Sequence, residues 1–258
     1  MQIYGECQRE NYILRAMIHK PEGISSKVPA VIMFHGFTGN RMEGGIFTEI
    51  SKELEENGIA SVRFDFAGSG ESDGKFEDMC LQSEIEDGKT ILDFVKSLDF
   101  IDSRRIGLLG YSLGGLIASL LAPQRQSDIK AMCLCSPGFS LYDDIVNKKA
   151  IIEISLEDID KYGYMDIRGN KVGRGFIDDI RNLNISDSIS TYKNNVLIIH
   201  GKSDTIVPYE YSIKYAQDYE KVKVHIIENA SHGYETIGQR EELRNVIKLF
   251  FQQQLSCE

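Results

Sequence analysis

Residues 110–114 of this chain read GYSLG, and they lie between two apolar runs, residues 106–109 and residues 113–121. This order predicts a strand, a tight turn and a helix. Glycines are expected on both sides of the serine, because a sharp turn brings strand and helix too close together for a β-carbon. The pattern therefore predicts that Ser112 lies in a strained turn with its hydroxyl group projecting outward.

The composition indicates a globular protein of ordinary type. The 258 residues are 42% hydrophobic and 26% charged, and the formal net charge is -10. A chain of this length can form one large α/β domain or two small ones. The negative field would repel a phosphate backbone and anionic lipid surfaces, so neither nucleic-acid binding nor membrane insertion is expected.

The compartment is predicted from the N-terminus and the cysteines. Residues 1–6, MQIYGE, have neither the basic start nor the apolar stretch of a signal peptide. The number of cysteines is odd and their spacing is not that of a disulfide framework, which is typical of reduced thiols. They are Cys7, Cys80, Cys133, Cys135 and Cys257. We expect a cytoplasmic protein, and a homodimer is compatible with the sequence.

Strand and helix patterns alternate along the chain. This alternation, with short joints, predicts a mostly parallel sheet covered by helices on both faces. Two short strands are expected within residues 1–18. Further strands are predicted at residues 30–34, 59–64, 105–109, 129–135, 196–200 and 222–227, and helices at residues 43–57, 82–98, 208–219 and 241–251.

One connection is far longer than the others. About sixty residues separate Cys135 from Val196, whereas an α/β connection normally takes a handful of residues and one helix. We expect residues 138–190 to form an inserted cap over the site, with residues 1–137 and 191–258 forming the core. A peripheral decoration is the alternative.

The order of residues along the chain indicates a general base for Ser112. A serine hydroxyl is a poor nucleophile unless a base accepts its proton and a third group orients that base. Three histidines follow Ser112: His200 closes a predicted strand, His225 lies inside one, and His232 follows one. Only His232 lies on a loop beyond the carboxyl end of a strand, so it is predicted to be the base.

The acid is expected on the loop after the preceding strand. Asp204 lies there, within residues 200–208, HGKSDTIVP. Its carboxylate would fix the tautomer of the imidazole and stabilise the imidazolium. A carboxylate at the start of a helix, before Pro208, is the alternative role. Glu228 is the second candidate acid, although it lies close to His232 in sequence.

The tetrahedral intermediate needs hydrogen-bond donors for its oxyanion. One is predicted to be the backbone N–H of Leu113, directly after the nucleophile. The second is assigned to Phe37 on the loop after residues 30–34, with His35 in a structural role. This chemistry needs no cofactor and no metal ion. The glycines of residues 65–74 are better explained by a tight loop than by phosphate binding.

Three stretches resemble the bacterial cinnamoyl (feruloyl) esterases of the α/β-hydrolase superfamily. They are residues 35–39 (HGFTG), residues 63–78 (RFDFAGSGESDGKFED) and residues 110–115 (GYSLGG). The resemblance implies an α/β-hydrolase fold with a mostly parallel central sheet, helices on both faces and a small inserted cap. It also implies that the cap shapes a pocket for an aromatic acyl group.

The resemblance further implies which cap residues contact substrate. An acidic residue at the start of the cap contacts phenolic hydroxyl groups in similar enzymes, and Asp144 occupies the matching place. The chain has no tryptophan, so Tyr142, Tyr162, Tyr164 or Phe176 would have to form the aromatic wall.

The expected activity is hydrolysis of small-molecule hydroxycinnamate esters through an acyl-serine intermediate. A monoacylglycerol lipase or general short-chain carboxylesterase is the alternative within esterases. A peptidase or amide hydrolase could use the same three side chains. A non-catalytic binding protein of the same fold is the alternative from another class.

Overall fold

The computed structural model describes residues 1–256. Its strands are β1 (Gln2–Arg9), β2 (Tyr12–His19), β3 (Val28–Phe34), β4 (Ala60–Phe64), β5 (Ile101–Tyr111), β6 (Ala131–Cys135), β7 (Ala150–Ile151), β8 (Ile154–Ser155), β9 (Tyr164–Ile167), β10 (Asn170–Gly173), β11 (Asn195–Gly201) and β12 (Val222–Ile227).

The helices alternate with these strands. They are α1 (Ile46–Glu56), α2 (Leu81–Ser97), α3 (Leu113–Leu121), the single turn α4 (Leu141–Asp143), α5 (Glu157–Tyr162), α6 (Arg174–Arg181), α7 (Ile185–Ile189), α8 (Tyr209–Ala216) and α9 (Ile237–Gln254). A π-helical turn, Asp144–Lys148, continues directly from α4.

The central sheet has eight strands in the order β1-β2-β4-β3-β5-β6-β11-β12. β2 is antiparallel to both β1 and β4. The remaining pairs of this sheet, formed by β4, β3, β5, β6, β11 and β12, are parallel. This confirms the predicted mostly parallel sheet. Because the carboxyl ends of parallel strands share one edge, the loops after β3, β5, β11 and β12 meet there.

Two hydrophobic layers hold the helices against the sheet. One face packs against α1 and α9 through residues such as Phe47, Leu109 and Phe251, and the other packs against α2 and α3 through residues such as Ile32 and Leu116. β3 is buried at every position, as its continuous apolar run predicts. Each fully buried large apolar side chain contributes about 1.5–3 kcal/mol to folding.

The predicted element types are confirmed, and the ends of elements differ by a few residues. The largest difference at a helix start is in α9, which begins at Ile237 rather than at residue 241. Thr236 caps α9, because its side chain accepts the N–H of Gln239 while the Gln239 side chain accepts the N–H of Thr236. This capping box was present in the sequence as a start signal.

The long connection between β6 and β11 contains α4 to α7 and two small hairpins, β7–β8 and β9–β10. Its apolar side chains, including Phe139, Ile145 and Ile180, are buried in the same cluster as α2 and α3. The segment therefore packs against α2 and α3, on one side of the sheet. Its predicted division from the core at residues 138 and 190 stays a prediction.

Two further findings concern the membrane and the thiols. Across residues 1–256 there is no helix whose length and apolar character would let it cross a bilayer. Cys7, Cys80, Cys133 and Cys135 are free thiols. Cys257, the fifth predicted thiol, lies outside the described residues.

Candidate active site

The turn at Ser112 has the strained backbone that its sequence predicts. Ser112 has φ 52° and ψ -119°, between the end of β5 and the start of α3. A β-carbon on Gly110 would lie 2.4 Å from the carbonyl oxygen of Gly114, and one on Gly114 would lie 2.1 Å from that of Phe34. Only glycine fits at these two positions, so the turn can present the Ser112 hydroxyl group above the edge of the sheet.

His232 lies beside this hydroxyl group. Its Nε2 is 3.0 Å from the Oγ of Ser112, although 120 residues separate the two in sequence. The loop after β12 carries His232, and the phenol of Tyr111 donates a hydrogen bond to the His232 carbonyl oxygen at 2.7 Å. The end of β5 therefore holds both the serine and the loop of the imidazole.

Asp204 completes the chain of hydrogen bonds from the opposite side. Its Oδ2 lies 2.7 Å from Nδ1 of His232, and its Oδ1 accepts the N–H groups of Ile206 and Val207 at 2.9 Å each. Burial acts to raise the pKa of Asp204, but hydrogen bonds from His200 and His232 outweigh it and hold that pKa well below its usual range. The carboxylate therefore stays ionised while it orients the imidazole.

His200 contacts Asp204, which its sequence position did not predict. It is fully buried, and its Nε2 lies 2.8 Å from the carbonyl oxygen of Val207 and 3.1 Å from Oδ2 of Asp204. A carbonyl oxygen only accepts, so Nε2 carries a proton, and Nδ1 accepts from the hydroxyl group of Ser212 at 2.7 Å. The second histidine thus helps to position the acid.

The other histidines after β3 lie apart from the reacting groups. His225 pairs with Glu242 at 2.7 Å on an exposed part of β12. His35 accepts the N–H of Phe66 at 3.1 Å through Nε2, while Nδ1 lies 2.9 Å from the carbonyl oxygen of Gly36. Burial lowers the pKa of His35, so the neutral ring holds the loop after β3, as its predicted structural role requires.

The two predicted oxyanion donors belong to the same pocket as Ser112. Phe37 and Leu113 both line the pocket that opens at the serine. Within residues 1–256, neither backbone N–H donates to a protein acceptor. Both groups are therefore available to an oxygen atom bound next to Ser112.

The pocket at Ser112 is small and mostly aliphatic. Its volume is about 50 Å³. It is lined by Phe37, Ser112, Leu113, Gly138, Ser140, Leu141, Asp144, Ile151, Ile152, Ile206 and Val207. The four aliphatic residues at positions 151, 152, 206 and 207 carried no functional signal in the sequence. They line the pocket because the β7–β8 hairpin and the loop of Asp204, which are far apart in sequence, both reach it.

Asp144 is the carboxylate among the pocket residues. It accepts hydrogen bonds from the Ser140 hydroxyl group and from the Lys148 ammonium group, both at 2.7 Å. The ammonium group compensates the charge of the carboxylate on its outer side. Asp144 therefore offers an oriented hydrogen-bond acceptor at the wall of the pocket.

The aromatic side chains that were predicted to form a wall lie outside the pocket that Asp144 lines. Phe176 is fully buried and stacks on Phe37, with ring centroids 5.4 Å apart and an interplanar angle of 19°. Tyr142 is half-buried against the core, while Tyr162 and Tyr164 are exposed. The structure brings none of Tyr142, Tyr162, Tyr164 and Phe176 into the lining of this pocket, and Phe176 instead supports the ring of Phe37.

The tip of the β7–β8 hairpin adopts an unusual backbone conformation. Ile152 has φ 48° and Glu153 has φ 66°. A β-branched residue rarely occupies this left-handed region, and such strain concentrates where a ligand is held. Ile152 lines the pocket, so the strained tip forms part of its roof.

A metal centre is not assembled near these residues. Nowhere in residues 1–256 do three or more His, Cys, Asp or Glu side chains form a group that could hold a metal ion.

The chain has the α/β-hydrolase fold, since the alpha/beta hydrolase domain-containing protein 10 from mouse superposes with a TM-score of 0.78 and 21% identity, covering 97% of this chain and 99% of that one. Est1E from Butyrivibrio proteoclasticus, with bound ferulic acid, superposes with a TM-score of 0.89 and 29% identity, covering 97% of this chain and 98% of that one. A family model described as X-Pro dipeptidyl-peptidase (S15 family) matches residues 12–165. The chain belongs to that family.

Curated relatives match at lower coverage. The mitochondrial palmitoyl-protein thioesterase ABHD10 of Bos taurus is 25% identical over 218 residues, which cover 81% of this chain and 68% of that protein. An uncharacterized 31.7 kDa protein of Escherichia coli is 34% identical over 116 residues, covering 45% of this chain. The match spans only 38% of that relative's own length.

Proposed function

We propose that this protein is a serine carboxylesterase that hydrolyses hydroxycinnamate esters through an acyl-serine intermediate. The observation that carries the proposal is the continuous hydrogen-bonded chain from Ser112 through His232 to Asp204. The likeness to Est1E along nearly the whole chain supports an esterase, and its bound ferulic acid supports the acyl class.

Acylation begins with attack of the Ser112 oxygen on the ester carbonyl carbon. The serine proton moves to Nε2 of His232 as the new C–O bond forms. The carbonyl oxygen becomes an oxyanion, which accepts the backbone N–H groups of Phe37 and Leu113. Asp204 remains ionised and stabilises the imidazolium, as its lowered pKa requires.

Deacylation returns the enzyme to its starting state. The bond to the leaving alcohol breaks while His232 donates its proton to the departing oxygen. Water then attacks the acyl-serine and transfers a proton to His232. The second tetrahedral intermediate collapses to the carboxylic acid, and Ser112 recovers its proton.

The acyl group is assigned to the pocket beneath the cap. Asp144 would accept the phenolic hydroxyl group of a hydroxycinnamate, and the aliphatic walls would contact the propenoyl chain. The pocket volume of about 50 Å³ is below the roughly 300 Å³ of a typical ligand pocket. Binding therefore requires the strained hairpin that carries Ile152 to move outward, so residues 138–190 would act as a cap.

A second candidate is a short-chain carboxylesterase or monoacylglycerol lipase. The aliphatic lining at Ile151, Ile152, Ile206 and Val207 favours it, since an alkyl chain needs no polar partner. The thioesterase relative supports acyl transfer from a different leaving group.

Peptidase activity is a weaker candidate than ester hydrolysis. A dipeptidyl-peptidase substrate presents a free ammonium group, which needs an uncompensated carboxylate. Among the pocket residues only Asp144 is a carboxylate, and Lys148 already neutralises it. This pairing favours a neutral acyl group.

A substrate panel tests the proposal. We expect a fluorophosphonate probe to label wild type at Ser112 alone and to leave S112A unlabelled. Methyl ferulate, p-nitrophenyl butyrate, a monoacylglycerol and an Xaa-Pro p-nitroanilide are compared by kcat/KM. A glyceride preference of about a hundredfold, equivalent to about 2.7 kcal/mol, would overturn the hydroxycinnamate assignment.

Two further assignments belong to the same proposal. We place the protein in the cytoplasm, which cell fractionation tests. A homodimer is tested by light scattering of the purified chain.

A further inference from the structure

Glu43 contacts the loop that carries one proposed oxyanion donor. Its Oε2 accepts the backbone N–H of Gly36 at 2.7 Å. The same turn is closed by a hydrogen bond from Gly39 N–H to the Gly36 carbonyl oxygen at 3.0 Å. A β-carbon on Gly39 would lie 2.8 Å from Oε2 of Glu43, so the carboxylate is packed directly against the turn that presents Phe37.

The backbone at Glu43 is strained. Glu43 has φ 43°, and it is followed by Gly44 at φ 58° and Gly45 at φ 90°. Gly44 and Gly45 adopt a positive φ without strain because they have no β-carbon, whereas the β-carbon of Glu43 makes this conformation unfavourable. The strain is tolerated at the one residue whose side chain returns to the Gly36 turn, which points to a functional constraint.

The surroundings of the Glu43 carboxylate disfavour its charge. Loss of hydration raises the pKa of Glu43 to about 7, while the Gly36 N–H and the attraction of His232 act to lower it. Burial raises the pKa of the Tyr111 phenol at the end of β5, and the negative charge of Glu43 raises it further. A carboxylate is thus kept near the imidazole although its environment opposes ionisation.

Cations on neighbouring elements are already committed to other partners. Arg240 of α9 bonds to the carbonyl oxygen of Tyr234 and to Glu49. Arg41, two residues before Glu43, pairs with Asp65 and with Glu71. The Gly36 turn that Glu43 holds lies against Ser112, since a β-carbon on Gly36 would lie 3.2 Å from that of the serine. Burial raises the pKa of Glu43 and the attraction of His232 acts to lower it, so the imidazole interacts with this carboxylate when it accepts the serine proton.

We propose that Glu43 is a positioning residue of the esterase site, which holds the turn presenting the Phe37 N–H and whose negative charge stabilises the imidazolium formed on His232. This role rests on the proposed serine hydrolase function. It adds a second carboxylate, distinct from Asp204, which holds the turn at all times and interacts with the imidazolium once the proton has moved.

The proposal predicts opposite changes in stability and activity, whereas a purely structural role would change stability alone. A folded-state pKa of about 7 exceeds the ordinary value of 4.5, so the folded state binds more protons than the unfolded state between these values. Stability from this group is therefore lost as pH rises from about 4.5 to 7. Replacing the carboxylate with a neutral amide removes that loss, and stability and activity should change in opposite directions.

The experiment compares wild type, Glu43→Gln and the control Glu53→Gln, which removes a carboxylate paired with Lys248 on the far turn of α1. Hydrolysis of p-nitrophenyl butyrate is measured from pH 5 to 9, with Tm at pH 5 and pH 8. We expect E43Q to lower kcat by about ten- to a hundredfold with little change in KM. Its Tm should rise at pH 8 and stay near that of wild type at pH 5.

The pH profile gives an independent readout. The kcat/KM profile of wild type should contain one ionisation more than that of E43Q, which lacks the Glu43 carboxyl group with its pKa of about 7, and E53Q should retain both the wild-type profile and the activity. The proposal is overturned if kcat of E43Q is unchanged, if its Tm falls at both pH values, or if E43Q does not fold. Wild type that hydrolyses no ester and takes up no fluorophosphonate would instead refute the proposed function.

Discussion

His200 donates a hydrogen bond through Nε2 to the Oδ2 of Asp204, at 3.1 Å, from a fully buried position. The same carboxylate oxygen accepts from Nδ1 of His232, the proposed general base. The acid is thus oriented by two imidazole rings, of which only one touches the nucleophile. This arrangement explains how a carboxylate removed from water remains ionised.

Replacement of His200 by alanine should weaken both folding and catalysis. The carboxylate of Asp204 loses a donor, and the carbonyl oxygen of Val207 and the hydroxyl group of Ser212 lose their partner. We expect stability to fall by about 2–4 kcal/mol and kcat by about tenfold, with KM nearly unchanged. Urea unfolding and steady-state kinetics measure the two effects, and unchanged kcat in a folded H200A would contradict this role.

Replacement of His232 by alanine should abolish turnover without unfolding the protein. The side chain is partly exposed, with its ring centroid 5.3 Å from that of Tyr111, and it is the only imidazole bonded to Ser112 within residues 1–256. We expect kcat to fall at least about a thousandfold. His225→Ala is the matched control, since His225 pairs with Glu242 on the surface. Retention of more than about a tenth of the activity by H232A would refute the assigned base.

Asp144→Asn should change the recognition of phenolic substrates selectively. The amide keeps the shape of the side chain but accepts a phenolic hydroxyl group more weakly. We expect KM for methyl ferulate to rise roughly tenfold, while KM for methyl cinnamate, which lacks the hydroxyl group, stays constant. Asp143→Asn is the control, because Asp143 bonds Tyr211 outside the pocket lining. Equal effects on both esters would argue against direct contact.

Ile152→Gly should widen the pocket at little cost in stability. Glycine relieves the left-handed strain at φ 48°, which is worth about 1–2 kcal/mol, although its greater chain entropy offsets part of that gain. We expect kcat/KM for methyl ferulate to increase roughly tenfold relative to p-nitrophenyl acetate. Glu153→Gly, on the same hairpin but outside the lining, should leave this ratio unchanged. If both variants change this ratio of kcat/KM values equally, Ile152 does not form the roof of the pocket.

Glu84→Gln should stabilise the protein at alkaline pH. Glu84 is buried, its Oε2 has no hydrogen-bond partner, and burial together with the charge of Asp87 raises its pKa well above the usual value. Stability from this group is lost as pH rises above about 4.5. We expect E84Q to exceed wild type by at least about 1.4 kcal/mol at pH 8, with no gain at pH 4.

The control for this prediction is Glu86→Gln on the same helix. Glu86 bonds Lys89 at the surface, so its replacement should change Tm little at either pH. A fall in the stability of E84Q at pH 8 but not at pH 4 would show that the ionised form of Glu84 is favoured in the folded protein.

The sequence alone determined the order of elements and the three side chains that meet at Ser112. Periodicity revealed the buried strands, glycines marked the turn after β5, and position beyond strand ends selected Asp204 and His232. These signals are local, because each depends on a few neighbouring residues and on the rule that parallel strands end at one edge.

Tertiary structure decided which other residues surround the serine. Ile152, Ile206 and Glu43 lie in three separate parts of the chain, and no pattern in the sequence relates them. Whether a side chain lines a pocket, and whether a carboxylate loses its hydration, depends on atoms brought together by folding over long sequence separations. Packing and burial are therefore properties of the assembled fold, which residue types and spacings do not encode singly.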